Sequence, residues 1–201
     1  MTFGKYAIAL PLLGLCCPGP GCNVPRRVAV DRHPPGALKV RYECTTSDTS
    51  CLVASVVMAA NYLDRRVRFK EPAVRRELER AGKDESRVAD LRHFLRSKDL
   101  DLIVLEGARS LRPPNGLGYW LRRGFPAICV INKIGKDADY NHAVVVIGFG
   151  PPEADPAQDG TVIHYLDPSS PKQQESGPAE RFDEWWAVSG RALLIVTTVP
   201  K

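Results

Sequence analysis

The chain has 201 residues, of which 44% are hydrophobic and 25% charged, with a formal net charge of +5 at pH 7. That length and apolar content can build one domain with a sizeable core, and they exclude an intrinsically disordered chain. The charge is modest, the arginines are dispersed along the sequence and no nucleic-acid-binding motif occurs, so a solvated surface accounts for it and nucleic acid is not an expected partner.

Lys5 precedes an apolar run over residues 6–15 that is too short to span a bilayer but has the length of a secretory signal core. Residues 1–22 therefore read as a signal, and the expected location is the cell envelope. Cys16 and Cys22 are candidates for lipid attachment, although Leu15 is bulky where a small residue should precede Cys16 and Gly19 stands where an aliphatic one should precede Cys22. No later stretch is long and apolar enough to cross a membrane, so membrane contact is expected only through such an anchor. Residues 23–39 contain Pro25, Arg26, Arg27, Pro34 and Pro35 and read as a linker, with the domain proper over 40–201.

In the domain, Ser50 to Leu63 carries apolar residues at helical spacing behind Asp48, Thr49 and Ser50, whose side chains can cap a helix. Glu71-Pro72-Ala73 opens a charged amphipathic helix that ends near Gly82. Ser86 is expected to cap another, with Val88, Leu91, Phe94 and Leu95 on one face and His93 at the surface. A short strand over 101–105, a helix over 116–123 stopped by Gly124, and a buried strand over 126–132 carrying Cys129 follow. The run from His142 to Gly150 is apolar on both alternating faces, and residues 161–167 form its hairpin partner. Phe182, Trp185 and Trp186 lie at helical spacing and are expected in the core. Helices first and mostly antiparallel strands later predict an α+β fold, with the helix after Ser50 packed on the sheet.

This layout puts chemistry in three places. Cys51 falls in the first helical turn, where unpaired N–H groups and the helix dipole favour a thiolate. His142 starts the central strand. Symmetric pairing of the hairpin sets His142 across from Asp167, close enough for the carboxylate to fix the imidazole tautomer and stabilise the imidazolium formed when His142 takes the thiol proton. The histidines and the remaining cysteines have no ligand spacing, and no metal or organic cofactor is expected. With the signal removed, Cys44, Cys51 and Cys129 remain; a Cys44–Cys129 bridge leaves Cys51 free, whereas a Cys44–Cys51 bridge silences it.

The segment Cys51-Leu52-Val53-Ala54-Ser55 with Met58 and Tyr62, the run from Asn141 to Gly148, Asp167-Pro168, Arg181 to Trp186 and Gly190 to Val196 together resemble the double-glycine leader peptidases. These are the bacteriocin-processing branch of the papain-like cysteine peptidases, and the resemblance covers roughly residues 40 to 198. It implies a papain-like fold, a peptide or protein substrate, and a catalytic set on Cys51, His142 and Asp167. It also implies a glutamine six residues before the cysteine as oxyanion donor, a position held here by Thr45. No glutamine precedes Gln158. The Cys51 backbone N–H remains as a donor, and a hydroxyl of Thr45, Thr46 or Ser47 is the candidate replacement. Two other readings use the same residues: a relative that binds peptides without cleaving them, and a thiol acyltransferase that passes the acyl group to an amine or thiol instead of water.

Overall fold

A computed structural model describes residues 33–47, 49–66, 68–134, 141–151 and 154–199. Residues 1–22, which the sequence marks as a candidate signal, and with them Cys16 and Cys22, lie outside the described residues. The elements run α1 (Cys51–Leu63), α2 (Glu71–Arg80), α3 (Val88–Arg96), β1 (Leu100–Glu106), α4 (Leu117–Arg122), β2 (Ala127–Ile131), β3 (His142–Gly150), β4 (Val162–Leu166), β5 (Gln174–Pro178), α5 (Ala179–Val188) and β6 (Ala192–Thr198). Six strands form one sheet in the order β1-β6-β2-β3-β4-β5, every neighbouring pair antiparallel. The α+β expectation holds.

The sheet has a core on each face because its central strands are apolar at successive positions. Ala143, Val145 and Ile147 of β3 and Leu194 and Val196 of β6 pack with α1, α2 and α3 through Val53, Met58, Leu78, Leu91 and Leu95. Val144 and Val146 of β3, with Ile131 and Tyr165, pack with α4 and α5 through Leu117, Phe182 and Trp186. Phe182 and Trp186 are buried as expected, whereas Trp185 is only half-buried and lies against Lys133 and Arg181.

Three local expectations are corrected. Ser86 does not cap α3: its N–H and hydroxyl bond Asp84 Oδ1 in the preceding turn, and Arg87 takes the cap position. Ser50 stands at the N-cap of α1, but its hydroxyl turns back to Ser47 and Thr45, leaving the first turn without a side-chain cap. The β3–β4 hairpin is not symmetric. Its register runs Gly150↔Val162 to Gly148↔His164, then shifts at a bulge to Val146↔Tyr165 and Val145↔Leu166. One further step sets Asp167 opposite Val144, two residues from the expected His142. Because side chains alternate with period two, that slip keeps Asp167 and His142 on one side as diagonal neighbours.

Gly148 borders the bulge. A Cβ there would come within 2.9 Å of the Ala37 Cα, while the Leu38 N–H donates to the Ile147 carbonyl at 2.7 Å. A bare backbone at 148 lets the incoming chain cross β3 closely. Among the described residues, Ala37 and Leu38 already touch the sheet, inside the segment that composition marks as linker.

Candidate active site

The loop from Thr45 to Ser50 delivers Cys51 to the first position of α1, and α2 anchors it. Thr46 Oγ1 donates to Glu71 Oε2 at 2.6 Å and accepts from Arg75 Nη1 at 3.1 Å, and Thr49 Oγ1 donates to Glu85 Oε1 at 2.8 Å. A second brace joins this region to the turn after β4. The Thr45 N–H and the Tyr42 hydroxyl both donate to the Pro168 carbonyl, at 3.0 and 3.1 Å, and the same hydroxyl reaches the Ser170 carbonyl at 3.3 Å. The approach to Cys51 and the turn after Asp167 are therefore held as one unit.

At the end of α1 nearest β3, Ala143 acts twice. Its N–H lies 3.5 Å from Cys51 Sγ, and its carbonyl accepts from Ser55 Oγ at 3.1 Å, one helical turn further along. His142 sits next to this clamp. Its Nε2 lies 2.7 Å from Asp167 Oδ1, which leaves Nδ1 for the hydrogen bond to the Cys51 thiol. The structure thus brings together all three side chains that the sequence nominates, buried with 8% exposure at Cys51, 3% at His142 and 4% at Asp167. Cys51 is the most open of the three.

The electrostatics follow from this geometry. Burial works against charge on the Cys51 thiol, but the hydrogen bond and charge of His142 and the N–H groups of Ala143 and Leu52 outweigh it and lower the thiol pKa. Burial likewise disfavours the imidazolium, yet Asp167 and Cys51 together push His142 up to about 9. Asp167 is held well below the usual carboxylate range: burial opposes this, but His142 and then Lys133 dominate. With the thiol lowered and the imidazole raised, the two shifts both act toward a thiolate–imidazolium pair.

No protein-family model matches the sequence, and no curated protein matches it. Solved structures do. A double glycine motif protease from an AMS/PCAT transporter, crystallised in complex with the leader peptide, superposes with a TM-score of 0.53 at 18% identity, covering 83% of this chain and 96% of that one. The peptidase domain of Streptococcus ComA, a bifunctional ABC transporter in a quorum-sensing pathway, gives 0.54 at 17% identity over 81% and 99% of the two chains. A C39-like peptidase from Bacillus anthracis gives 0.58 at 14% identity over 82% and 98%. This chain has the fold of the double-glycine leader peptidases.

Within that papain-like fold the oxyanion position departs from the resemblance. Thr45 Oγ1 hydrogen-bonds the Ser47 carbonyl and Ser50 Oγ, so its one proton is engaged inside the loop. Thr46 is bound to Glu71 and Arg75, and Ser47 Oγ lies 3.3 Å from Thr49 Oγ1. The Cys51 N–H, at the first helical position, has no earlier helical carbonyl to accept it and faces the same end of α1 as the thiol. Cys44, Cys51 and Cys129 are all thiols, and burial pushes Cys129 well up.

Two residues escaped sequence reasoning. Lys133 Nζ lies 2.9 Å from Asp167 Oδ2 and 3.4 Å from Glu175 Oε2. Lys133 stands just past a strand end, and Glu175 lies on β5, whose sequence Gln-Glu-Ser-Gly-Pro has neither apolar alternation nor β-branched residues. No local signal could have drawn either to Asp167, because the cluster depends on β2, β3, β4 and β5 lying side by side.

Proposed function

We propose that the protein is a cysteine peptidase that cleaves a polypeptide substrate, with Cys51 as nucleophile, His142 as acid and base, and Asp167 as the group that orients His142. The observation that supports this most is the continuous chain from the Cys51 thiol through His142 to Asp167, with the Cys51 thiol pKa lowered and the His142 pKa raised. The thiolate attacks the peptide carbonyl carbon, and the His142 imidazolium gives its proton to the departing amine, leaving a thioester on Cys51. Neutral His142 then takes a proton from water as the water oxygen attacks the thioester. The acid product leaves, and the proton on His142 restores the ion pair with the released thiolate. Asp167, bound through Oδ1 to Nε2, keeps Nδ1 turned to the sulfur throughout. The Cys51 N–H is the oxyanion donor in this scheme.

The likeness to a protease solved with a leader peptide favours peptides with a double-glycine site as substrates, and export with lipid attachment at Cys16 or Cys22 belongs to the same proposal. The test is mass-spectrometric analysis of a double-glycine peptide panel incubated with the reduced protein. Cleavage by the wild type that is lost in both Cys51→Ala and His142→Ala is the expected result. Cleavage that persists in Cys51→Ala contradicts the mechanism. Tight binding with neither cleavage nor a thioester adduct assigns the cleft to peptide binding instead, a reading favoured by the engaged hydroxyl of Thr45.

A further inference from the structure

Lys133 lies two residues beyond Ile131, which pairs with His142 across β2 and β3. From there its side chain passes the start of β3 and reaches the end of β4. Its ammonium is bounded by four groups: Asp167 Oδ2 at 2.9 Å, Glu175 Oε2 at 3.4 Å, and the rings of Tyr165 and Trp185, whose centroids are 5.2 and 5.6 Å away. The Tyr165 hydroxyl donates to the same Glu175 oxygen at 2.8 Å. A lysine usually keeps its head in water. This one has a side chain only 28% exposed and a paired, caged amine.

We infer that Lys133 and Glu175 form a charge couple that positions Asp167 and sets the proton affinity of His142, making Lys133 a positioning residue of the active site. The inference rests on the peptidase reading above and adds to it a pair of residues outside the Cys–His–Asp set. The two oxygens of Asp167 serve different partners: Oδ1 takes His142 Nε2 and the Ser169 N–H, and Oδ2 takes Lys133. The ammonium thus holds the carboxylate plane on the imidazole while drawing off part of its negative charge. The charged and titratable groups facing this end of His142 are Cys51 from α1, Asp167 at the end of β4, Lys133 after β2, and Glu175 from β5; Tyr165, pushed up to about 12, stays neutral. Without Lys133 two carboxylates would act on His142 together, and the imidazolium would keep the proton that the leaving amine needs.

The signs follow from Coulomb's law. Removing the Lys133 cation, two hydrogen bonds from the imidazole, raises the His142 titration midpoint by about one pH unit, and removing the Glu175 anion, one contact further out, lowers it by less. The experiment is NMR titration of histidine-labelled, reduced protein. The sequence has four histidines, and the His142 resonance is assigned as the one missing from His142→Ala. Lys133→Met is expected to move the midpoint up, Glu175→Gln to move it down, and Lys133→Arg to keep it near the wild-type value. Glu175→Gln changes one atom on an edge strand, so it reports even where Lys133→Met folds poorly. Midpoints unchanged in Glu175→Gln, or displaced in the same direction by both neutral variants, overturn the inference. The wild-type titration separates the two levels: a His142 midpoint near that of free histidine, about 6.5, defeats the peptidase reading itself. A raised midpoint indifferent to residues 133 and 175 defeats only the role of Lys133.

Discussion

Cys51 and Cys129 are both buried thiols, and their surroundings drive them in opposite directions. Cys129 sits on β2 among Val144, Leu193 and other apolar groups, where nothing offsets the loss of hydration and the thiol stays protonated. Cys51 is buried too, but a raised imidazole and two backbone N–H groups reach its sulfur. The difference lies in partners, which composition cannot reveal. Thr45 shows the same principle in reverse. It occupies the position where the resemblance implies a glutamine, yet its hydroxyl is bonded within the loop. A glutamine side chain at 45 is long enough to leave that loop and add a second donor to charge that appears only in the transition state. Thr45→Gln is therefore expected to raise turnover of a cleaved peptide by about 10- to 100-fold while the Cys51 alkylation rate stays put, as progress curves and alkylation kinetics would record. A parallel rise in alkylation would mean that the residue acts on the thiol and not on the oxyanion.

Helix α1 and strand β3 are the two elements that bring nucleophile and base together, and they meet at Ala143. The N–H of that residue faces Cys51 and its carbonyl is held by Ser55. Ser55 lies four positions beyond Cys51, so both side chains leave the same face of the helix. Loss of the Ser55 hydroxyl removes the outer of the two pins. Ser55→Ala is expected to cost about 1 kcal/mol in denaturant unfolding and to slow Cys51 alkylation several-fold at neutral pH. Unaltered alkylation with the stability loss present would show that Ala143 is positioned by the sheet alone.

At the scale of the whole molecule, much of the architecture was legible because hydrophobic periodicity is local. The boundaries of α1, β2 and β3 follow from runs of apolar residues, and the antiparallel sheet with α1 on it follows from their order. The hairpin register is displaced by two residues by a bulge beside Gly148, where Ala37, more than a hundred positions earlier, packs against the strand. Asp167 was still recoverable because an even slip preserves the side-chain face. Strand β5 was missed, and with it Glu175, because its polar sequence owes its strand state to pairing with β4. Folding also gathers charged side chains from separate segments. Lys39, Arg41, Arg65, Arg68 and Lys70, dispersed in the sequence, gather with Glu43 around one cleft beside Tyr62 and Phe69 at the far end of α1 from Cys51.

The proposed chemistry depends on the Cys51–His142 pair, and the pH dependence of iodoacetamide alkylation tests that pair most directly. Mass spectrometry of the reduced protein assigns the modified residue, with buried Cys129 as an internal reference. Burial opposes charge on the thiol but His142 lowers its pKa, so Cys51 is expected to react as a thiolate below the free-thiol value of about 8.5, and His142→Ala is expected to abolish that low-pH reactivity. His142 is pushed up to about 9, so the charged pair is present from the lowered thiol pKa up to that pH and is lost above it as the imidazolium deprotonates. A Cys51 that is inert at neutral pH, or whose reactivity is indifferent to His142→Ala, contradicts the account.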